Sequence, residues 1–177
     1  MADHRTDQHS GNENRRDGVS LPIPKCRVRP ATLLDREAVF ALIPRLRAFG
    51  DVPLRSADAL DAGERRTLAQ YFIAPAEGSR LWVAEGADGV LLGAAYAQSL
   101  WDYFTEETHG HLGILVVAPQ AARRGVGRAL IQEVEAWARE RGFRFLTLNV
   151  FARNLDARRF YEHSGFIEDT VKYLKPL

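Results

Sequence analysis

The sequence has few of the features that mark secreted, disulfide-bonded or membrane-spanning proteins. It contains one cysteine, Cys26, which cannot form an internal disulfide and has no partner thiols for a zinc site. Its longest apolar stretch, residues 90–97, is far shorter than the ~20 residues that cross a bilayer, and the polar residues 1–20 lack the apolar core of a signal peptide. We therefore expect a cytoplasmic protein that does not associate with membranes.

Net charge is also nearly absent. The chain has 24 basic and 23 acidic residues, a net charge of +1, and so lacks the basic excess of a dedicated nucleic-acid-binding protein. The charge is unevenly placed, because residues 122–159 carry nine arginines against four acids and the rest of the chain is net acidic. This asymmetry suits an enzyme that joins a polyanionic cofactor to a cationic substrate, and a solvated arginine-rich helix surface explains it equally well.

Length and composition are those of a globular protein with one domain and an extension. Hydrophobic residues make up 46% and charged residues 27% of the 177 positions, close to the averages for soluble domains. The amino-terminal residues are mostly polar and cannot offset the entropy of ordering the chain. We expect a flexible tail over residues 1–24 and a folded domain over residues 25–177.

Apolar periodicity and turn residues divide the folded domain into strands and helices. Strands are predicted over residues 26–29, 81–85, 90–98, 111–117, 145–150 and 166–174. Helices are predicted from the capping pair Thr32 and Asp35 to about residue 49, over residues 57–72 after a Ser56 cap, from Gly125 to Gly142, and from an Asn154 cap through His163. Three acids of the second helix, Asp58, Asp61 and Glu64, are expected to face solvent.

The segment after the strand Leu115-Val116-Val117 has the composition of an anion-binding turn. The chain breaks at Ala118-Pro119 and then reads Arg123-Arg124-Gly125-Val126-Gly127-Arg128 at the predicted start of a helix. The first N–H groups of a helix lack intrahelical partners and carry partial positive charge, and glycine lets a phosphate approach them closely. Arginines add charge-assisted hydrogen bonds. The pattern therefore predicts a pyrophosphate site.

Two common phosphate-binding motifs fit this turn poorly. A P-loop requires GxxxxGK[ST], and residues 122–159 contain no lysine, which excludes it. A dinucleotide fingerprint requires a third glycine where Leu130 stands and an acid near the end of the next strand, where Asn149 stands. The P-loop is therefore excluded, and the dinucleotide interpretation is weak.

Two patterns in this half of the chain occur in register. The first is Val117-Ala118-Pro119 followed by residues 122–127, with glycines at 125 and 127. The second comprises Asn154, Ala157, Phe160, Tyr161, Gly165 and Phe166 without a gap. Together they resemble the motifs V-x-P, [QR]-x-x-G-x-[GA] and N-x-x-A-x-x-F-Y-x-x-x-G-F of the GNAT superfamily of acyl-CoA-dependent N-acetyltransferases. The resemblance covers about residues 27–174.

The resemblance implies a GNAT fold: an α/β (α+β) architecture with a central mixed, mostly antiparallel sheet of six to seven strands and about four helices. It implies acetyl-CoA as acyl-donor co-substrate, no metal, and direct transfer to a primary amine of a small molecule or peptide in a ternary complex. The residues that it places at the cofactor are Leu115, Val117, Arg123, Arg124, Gly125, Val126, Gly127, Arg128 and Asn154. Two positions depart from the family pattern. Ala122 stands where Gln or Arg is usual, and Gly113 stands where many relatives carry a glutamate as general base.

The resemblance also assigns chemical roles. In the family a backbone N–H of the central strand beside a bulge holds the carbonyl oxygen, and by position this is Val117 here. Tyr161 matches the tyrosine that protonates the leaving thiolate, because a phenol with a pKa near 10 keeps its proton at neutral pH. A tyrosine packed beside Phe160 is the structural alternative.

His111 is the first choice as general base. It lies two residues before Gly113, so it faces the same side of the strand, and an unperturbed imidazole has a pKa near 6.5. Asp102, Glu106, Glu107 or a chain of waters are alternatives. His109 and His111 are too few to predict a metal site.

An aromatic and acidic stretch, Trp101-Asp102-Tyr103-Phe104-Thr105-Glu106-Glu107, is expected beside the acceptor cleft. Such walls suit cationic amines such as polyamines through charge pairing and cation–π contact, so Trp101, Asp102, Tyr103 and Glu106 are the candidate substrate-binding residues. An ordinary exposed hairpin loop explains the stretch about as well. The competing function is a non-catalytic acyl-CoA-sensing or protein-interaction module, motivated by Ala122 and Gly113, and a homodimer is one possible assembly.

Overall fold

The computed structural model describes residues 26–177, in which five strands and four α-helices follow one another. The tail predicted for residues 1–24, and the start of the domain at residue 25, lie outside the described residues. The strands are β1 (Arg27–Pro30), β2 (Ser79–Glu85), β3 (Leu91–Asp102), β4 (Glu107–Val117) and β5 (Leu146–Leu148). The helices are α1 (Arg36–Leu42), α2 (Ala57–Ile73), α3 (Val126–Glu140) and α4 (Leu155–His163).

The strands form one sheet in the order β1-β2-β3-β4-β5. The first four pair antiparallel, whereas β4 and β5 pair parallel because α3 makes the crossover between them. Each face of the sheet is covered. The α3-side core includes Trp82, Leu112, Leu130, Val134 and Trp137. The α1/α2-side core includes Val39, Ile43, Leu68, Leu81 and Ile114.

The first predicted helix is divided into three short helical pieces. A 3₁₀ turn at Leu33–Asp35 leads into α1, and a second 3₁₀ segment, Ile43–Arg47, follows it. Pro44 lies in the first turn of that segment and has no N–H with which to continue the α-helical ladder. Asp35, which forms the predicted capping box with Thr32, also accepts two hydrogen bonds from Arg29 of β1. This ion pair ties the start of the helical region to the sheet edge.

The second helix begins at the predicted Ala57 and ends at Ile73, one residue beyond the predicted end. The Ser56 hydroxyl caps it by accepting a hydrogen bond from Ala59 N at 3.1 Å. The expectation that its acids face solvent is wrong for two of the three. Asp61 forms an ion pair with Arg47 at 2.9 Å, and Glu64 is half-buried, which raises the pKa of its carboxyl. Both side chains are partly buried because the second 3₁₀ segment and α1 pack against α2, which the helix pattern alone does not reveal.

The predicted closing strand, residues 166–174, is wrong. No residue after His163 is in a strand, and the sheet therefore has five strands rather than six to seven. Ile167, Val171 and Tyr173 alternate as a strand would, yet all three are largely exposed. An ion pair between Arg158 and Glu168 holds the segment against α4, away from a pairing edge. Within residues 26–177, no helix is long and apolar enough to cross a bilayer.

Candidate functional site

One extra residue in β4 determines which groups face the centre of the molecule. Tyr96 of β3 pairs with Ile114, but the next residue, Ala97, pairs with Leu112, so Gly113 is a bulge. A bulge reverses the alternation of side chains along a strand. Leu112 packs in the α3-side core, whereas Ile114 packs in the α1/α2-side core.

Beyond the bulge, β4 has an open edge. Its pairing with β5 runs from Gly110 to Leu112 and then ends, so no strand in the described part of the chain pairs with residues 113–117 on that side. The hydrogen bond from Ala118 N to Leu92 O, 2.8 Å long, fixes which amides face β3. By antiparallel alternation, the N–H groups of Leu115 and Val117 then point into the gap between β4 and β5. A ligand in this gap would find two unpaired backbone donors.

The gap leads to the start of α3, where the predicted anion-binding turn lies. Gly125 occupies the N-cap position with φ +83°, a left-handed conformation that suits glycine. The first hydrogen bond of the helix runs from Ala129 N to Gly125 O at 3.0 Å. The N–H groups of Val126, Gly127 and Arg128 precede it and therefore have no intrahelical partner. Three adjacent donors at the positive end of a helix form an anion site.

Three arginines surround this turn and are available to a ligand. Arg123, Arg124 and Arg128 are exposed, and none of them forms an ion pair with any residue from 26 to 177. The described contact of the Arg124 side chain is a long one, 3.5 Å to Gln120 O. Positive charge that is not neutralised by neighbouring carboxylates favours a multiply charged anion.

The end of β4, the start of α3 and α4 are packed closely together. A Cβ atom built on Gly127 would lie 3.2 Å from Cζ of Phe160 and 3.6 Å from Cγ2 of Val117. The absent side chain of Gly127 thus allows α4 to approach the open edge of β4. The two registered sequence motifs meet at this contact.

Tyr161 follows Phe160 on α4 and packs against the same α3-side core. Its ring lies 5.5 Å from that of Phe160 and 5.8 Å from that of Phe166, measured between centroids. Burial raises the pKa of Tyr161 to about 12. No hydrogen bond to its hydroxyl is formed by the described residues. The phenol therefore keeps its proton well above neutral pH and has that proton available for a ligand.

Asn154 begins α4 and has a local structural role. Its Oδ1 accepts a hydrogen bond from Ala157 N at 3.2 Å, as an N-cap residue does. The predicted cap is confirmed. Because Oδ1 is used by the cap, the side-chain amide nitrogen is the atom left to contact a cofactor.

His111 lies at the base of the gap, where β4 and β5 are still paired. It is opposite Thr147 of β5, and its Nδ1 lies 2.8 Å from Thr147 Oγ1. A Cβ atom on Gly113 would lie 3.3 Å from the Tyr96 ring of the α1/α2-side core, so His111 and Gly113 face the same side of the sheet. Burial lowers the pKa of His111, and His109 lowers it further.

No sequence pattern distinguishes Thr147, and His109 is noted from the sequence only as one of two histidines that are too few for a metal site. His109 is buried, its Nε2 lies 3.0 Å from the same Thr147 hydroxyl, and its ring stacks on Phe145. Only the parallel register of β4 and β5 brings these side chains together. Within residues 26–177 there is no cluster of three or more potential metal ligands.

The aromatic and acidic hairpin is at the opposite end of β4 from the anion-binding turn. Trp101 pairs with Thr108, which is about 10 Å from His111 and about 30 Å from Val117 at about 3.3 Å per residue. Trp101 and Tyr103 are 64% and 78% exposed, so neither is committed to the core.

The carboxylates of this hairpin differ in the hydrogen bonds and ion pairs that they form. Asp102 Oδ1 accepts hydrogen bonds from the N–H groups of Phe104 and Thr105, which stabilises the turn. Glu107 forms an ion pair with Arg144 at 3.1 Å. Glu106 is exposed, with a positive φ of 55°, and forms no ion pair with a described residue. Glu106 is therefore the acid of this hairpin whose charge is available to a cationic ligand.

A cavity of about 580 Å³ lies along β5, away from the start of α3. Phe145, Leu146 and Thr147 line one side, and the chain after α4, residues 164–167, lines another. The cavity occupies the space beside the β5 edge, where the predicted sixth strand would have paired. It adjoins Thr147 and so reaches the base of the gap from outside.

A family model described as "Acetyltransferase (GNAT) family" matches residues 49–166, about two thirds of the chain. The chain belongs to the GNAT acetyltransferase family. The predicted family and fold class are thereby confirmed, apart from the number of strands. The matched region begins before α2 and ends after α4, so it contains both the open edge of β4 and the α3 turn.

Known GNAT proteins resemble the chain over most of its length. It is 33% identical to a mycothiol acetyltransferase from Beutenbergia cavernae over 152 residues, which are 84% of this chain and 48% of that protein. The chain thus spans about half the length of this relative. A putative acetyl transferase from Pyrococcus furiosus superimposes with a TM-score of 0.70 at 22% identity, covering 86% of this chain and 100% of that one. An aminoglycoside N-acetyltransferase in complex with CoA superimposes with a TM-score of 0.64 at 24% identity, covering 86% and 95%.

Proposed function

We propose that this GNAT protein transfers the acetyl group of acetyl-CoA to a primary amine of a small molecule or peptide. The observation that carries the proposal is the continuity of the open β4 edge with the α3 turn. Backbone donors at Leu115 and Val117 lead to a helix start with three N–H groups that lack intrahelical partners and three arginines that form no ion pair with a described residue. An elongated molecule with a diphosphate at one end and an acyl group at the other fits this order of groups.

The backbone donors and the α3 turn have separate tasks. The N–H groups of Val126, Gly127 and Arg128 hold the diphosphate, and Arg123 and Arg124 neutralise its charge. The N–H of Leu115 lies nearer to the bulge at Gly113 than the N–H of Val117 does. Either of these two amides can hold the carbonyl oxygen. The co-substrate supplies a thioester, whose acetyl carbon is the reacting atom.

Proton transfers complete the reaction. The amine nitrogen must lose a proton to attack the acetyl carbon, and Nε2 of His111 accepts it, because the lowered pKa keeps the ring neutral near pH 7. As the new C–N bond forms, the C–S bond breaks. The Tyr161 hydroxyl then donates its proton to the departing thiolate.

The acceptor that fits the charges best is a cationic amine. Glu106 and the exposed aromatic rings Trp101 and Tyr103 lie at the end of β4 nearest His111. Negative charge and aromatic faces attract a polyamine or a similar cation. The aminoglycoside acetyltransferase that resembles this chain in fold supports a small amine acceptor.

Acetyl-CoA binding is the first test. At a hundredfold excess over its Kd, a ligand of the native state raises the free energy of unfolding by about 2.7 kcal/mol, or the Tm by roughly 5–10 °C for a chain of this size. Gly125→Val forces a branched residue into φ +83° at the anion-binding turn and is expected to abolish the shift. Gly142→Val imposes a comparable strain at φ +72° at the other end of α3 and is the matched control, expected to keep the shift. An unshifted wild type contradicts the proposal.

Turnover is the second test. Release of free thiol from acetyl-CoA is measured with polyamines, aminoglycosides, amino acids and peptide amines. Saturable release with any acceptor supports catalysis. Binding without release from any acceptor favours the non-catalytic acyl-CoA-sensing module. This second candidate is supported by Gly113, a position that carries no carboxylate.

A further inference from the structure

Two histidines share one hydroxyl at the base of the gap. Thr147 Oγ1 lies 2.8 Å from Nδ1 of His111 and 3.0 Å from Nε2 of His109. The parallel register of β4 with β5 places His111 directly opposite Thr147, so the contact is built into the sheet. The proposed function uses His111 but gives no role to the other two side chains.

The donors and acceptors in this cluster are limited in number. A threonine hydroxyl has one hydrogen and two lone pairs, so at least one of the two histidines must donate an N–H to Oγ1. Nδ1 of His109 is buried and has no hydrogen-bond partner in the described part of the chain. A buried N–H without an acceptor is rare in proteins, so the neutral ring of His109 carries its hydrogen on Nε2. His109 is therefore the donor to Thr147.

One lone pair of Oγ1 then remains for His111. Nε2 of the neutral His111 ring can accept a proton only while the ring hydrogen is on Nδ1, and Nδ1–H then donates to the remaining lone pair of Oγ1. Once Nε2 of His111 has taken a proton, both ring nitrogens carry hydrogen, and Nδ1–H must donate to the remaining lone pair. In each state Nδ1 is bound to Thr147, so Nε2 is the ring nitrogen left for a ligand in the gap.

The cluster does not conduct the proton further. A relay through Thr147 would deliver the proton to His109, whose second nitrogen is buried without a partner and whose ring is stacked on Phe145, with centroids 4.9 Å apart. The proton taken up by His111 must therefore leave through Nε2. Thr147 and His109 act on the orientation of His111, not on the path of the proton.

We infer that Thr147 is a positioning residue for His111, with His109 fixing the orientation of its hydroxyl. The hydroxyl holds the imidazole with Nε2 toward the gap and accepts a hydrogen bond from Nδ1 when the ring is protonated. The inference rests on the proposed function for its catalytic consequence, but the tautomer and orientation of His111 are measurable without turnover. The lowered pKa of His111 agrees with a ring that is neutral before the reaction.

Kinetics of matched variants test the catalytic consequence. Thr147→Val removes the hydroxyl and keeps the shape of the side chain, and it is expected to lower kcat about tenfold while KM for acetyl-CoA and for the amine change less than about twofold. Thr147→Ser retains the hydroxyl and is expected to recover kcat to within about threefold of the wild type. Thr67→Val makes the same change at an exposed position of α2 and is expected to leave kcat unchanged. An undiminished kcat in Thr147→Val, or an equal loss in Thr147→Ser, overturns the inference.

Nitrogen NMR of the full-length protein separates this inference from the proposed function. Histidine side chains are labelled with ¹⁵N, and His111→Gln identifies the His111 signals by their loss. At a pH where the ring is neutral, the wild type is expected to show the well-separated Nδ1 and Nε2 shifts of one dominant tautomer, and Thr147→Val the partly averaged shifts of a free ring. If the wild type transfers no acetyl group, the proposed function fails, and this spectrum alone decides the positioning role. Identical His111 shifts in the wild type and Thr147→Val overturn it.

Discussion

Replacing Tyr161 with phenylalanine removes the oxygen atom that, in the proposed function, carries the proton for the leaving thiolate. The ring contacts with Phe160 and Phe166 remain, and the hydroxyl has no hydrogen-bond partner among residues 26–177. We therefore expect the free energy of unfolding to change by less than about 0.5 kcal/mol. Any loss of activity is then attributable to the missing proton rather than to the fold.

The size of the loss follows from the task of the phenol. With a pKa of about 12, Tyr161 is protonated in all but about one molecule in ten thousand at pH 8, so the acid form is fully populated. General acid catalysis contributes at least about a hundredfold to a rate, equivalent to about 2.7 kcal/mol in the activation free energy. We expect Tyr161→Phe to lower kcat about a hundredfold and to leave the Tm shift with acetyl-CoA unchanged.

The pH dependence gives a second measure of the same group. The protonated phenol is the active form, so activity is lost as pH rises through its pKa. At pH 10 a tyrosine of ordinary pKa is about half ionised, whereas one with a pKa of about 12 is only about 1% ionised. The wild type is therefore expected to show no alkaline loss of kcat from this residue below about pH 11.

The assay is thiol release from acetyl-CoA at saturating amine, with Tyr173→Phe as control. Tyr173 is 91% exposed, so the same chemical change there is expected to leave kcat unchanged. A Tyr161→Phe enzyme with kcat within twofold of the wild type would show that Tyr161 is a packing residue. The assignment of the general acid would then be refuted, while acetyl-CoA binding would stand.

Three further predictions concern charged groups. Asp35→Asn is expected to lower the free energy of unfolding at pH 7 by about 2 kcal/mol, because Arg29 lowers the pKa of Asp35 to about 2. In chemical denaturation, the difference from the wild type should disappear as the pH falls from about 4 to about 2. Glu64→Gln is expected to raise the Tm at pH 8, because burial raises the pKa of Glu64 and disfavours its charged form. The gain in Tm should vanish below the ordinary glutamate pKa. A lower Tm of the variant at pH 8 would contradict this prediction. Glu106→Gln removes an exposed charge that forms no ion pair with a described residue, so it should raise KM for a polyamine severalfold with little change in Tm. Equal KM values would remove Glu106 from the acceptor site.

Local signals in the sequence predicted the parts of the fold that depend on local hydrogen bonds. Ser56 and Asn154 were predicted as helix caps, and each accepts the expected backbone hydrogen bond. The start of α3 is likewise set within a few residues, by Gly125 and the N–H groups after it. These features need no knowledge of distant parts of the chain.

Structural features that depend on a partner elsewhere in the chain were either not predicted or predicted wrongly. Residues 166–174 have the alternation of a strand, but a strand also needs an edge to pair with, and α4 holds this segment instead. Thr147 is an ordinary strand residue in the sequence, and it becomes significant only through the register that sets it opposite His111. Pattern analysis therefore located the anion-binding turn but not the surroundings of the proposed base.

In the proposed function the acyl group meets backbone amides of β4, so backbone geometry rather than side-chain chemistry specifies this contact. Leu115 and Val117 present backbone hydrogens, so evolution is free to exchange these side chains for others of similar volume. Deleting Gly113 would leave Leu112 opposite Ala97 and Ile114 opposite Tyr96, so the amides would keep their directions, but β4 would lose the local bend at the point where it stops pairing with β5. In related sequences, we expect this short segment to vary in composition while its number of residues stays constant.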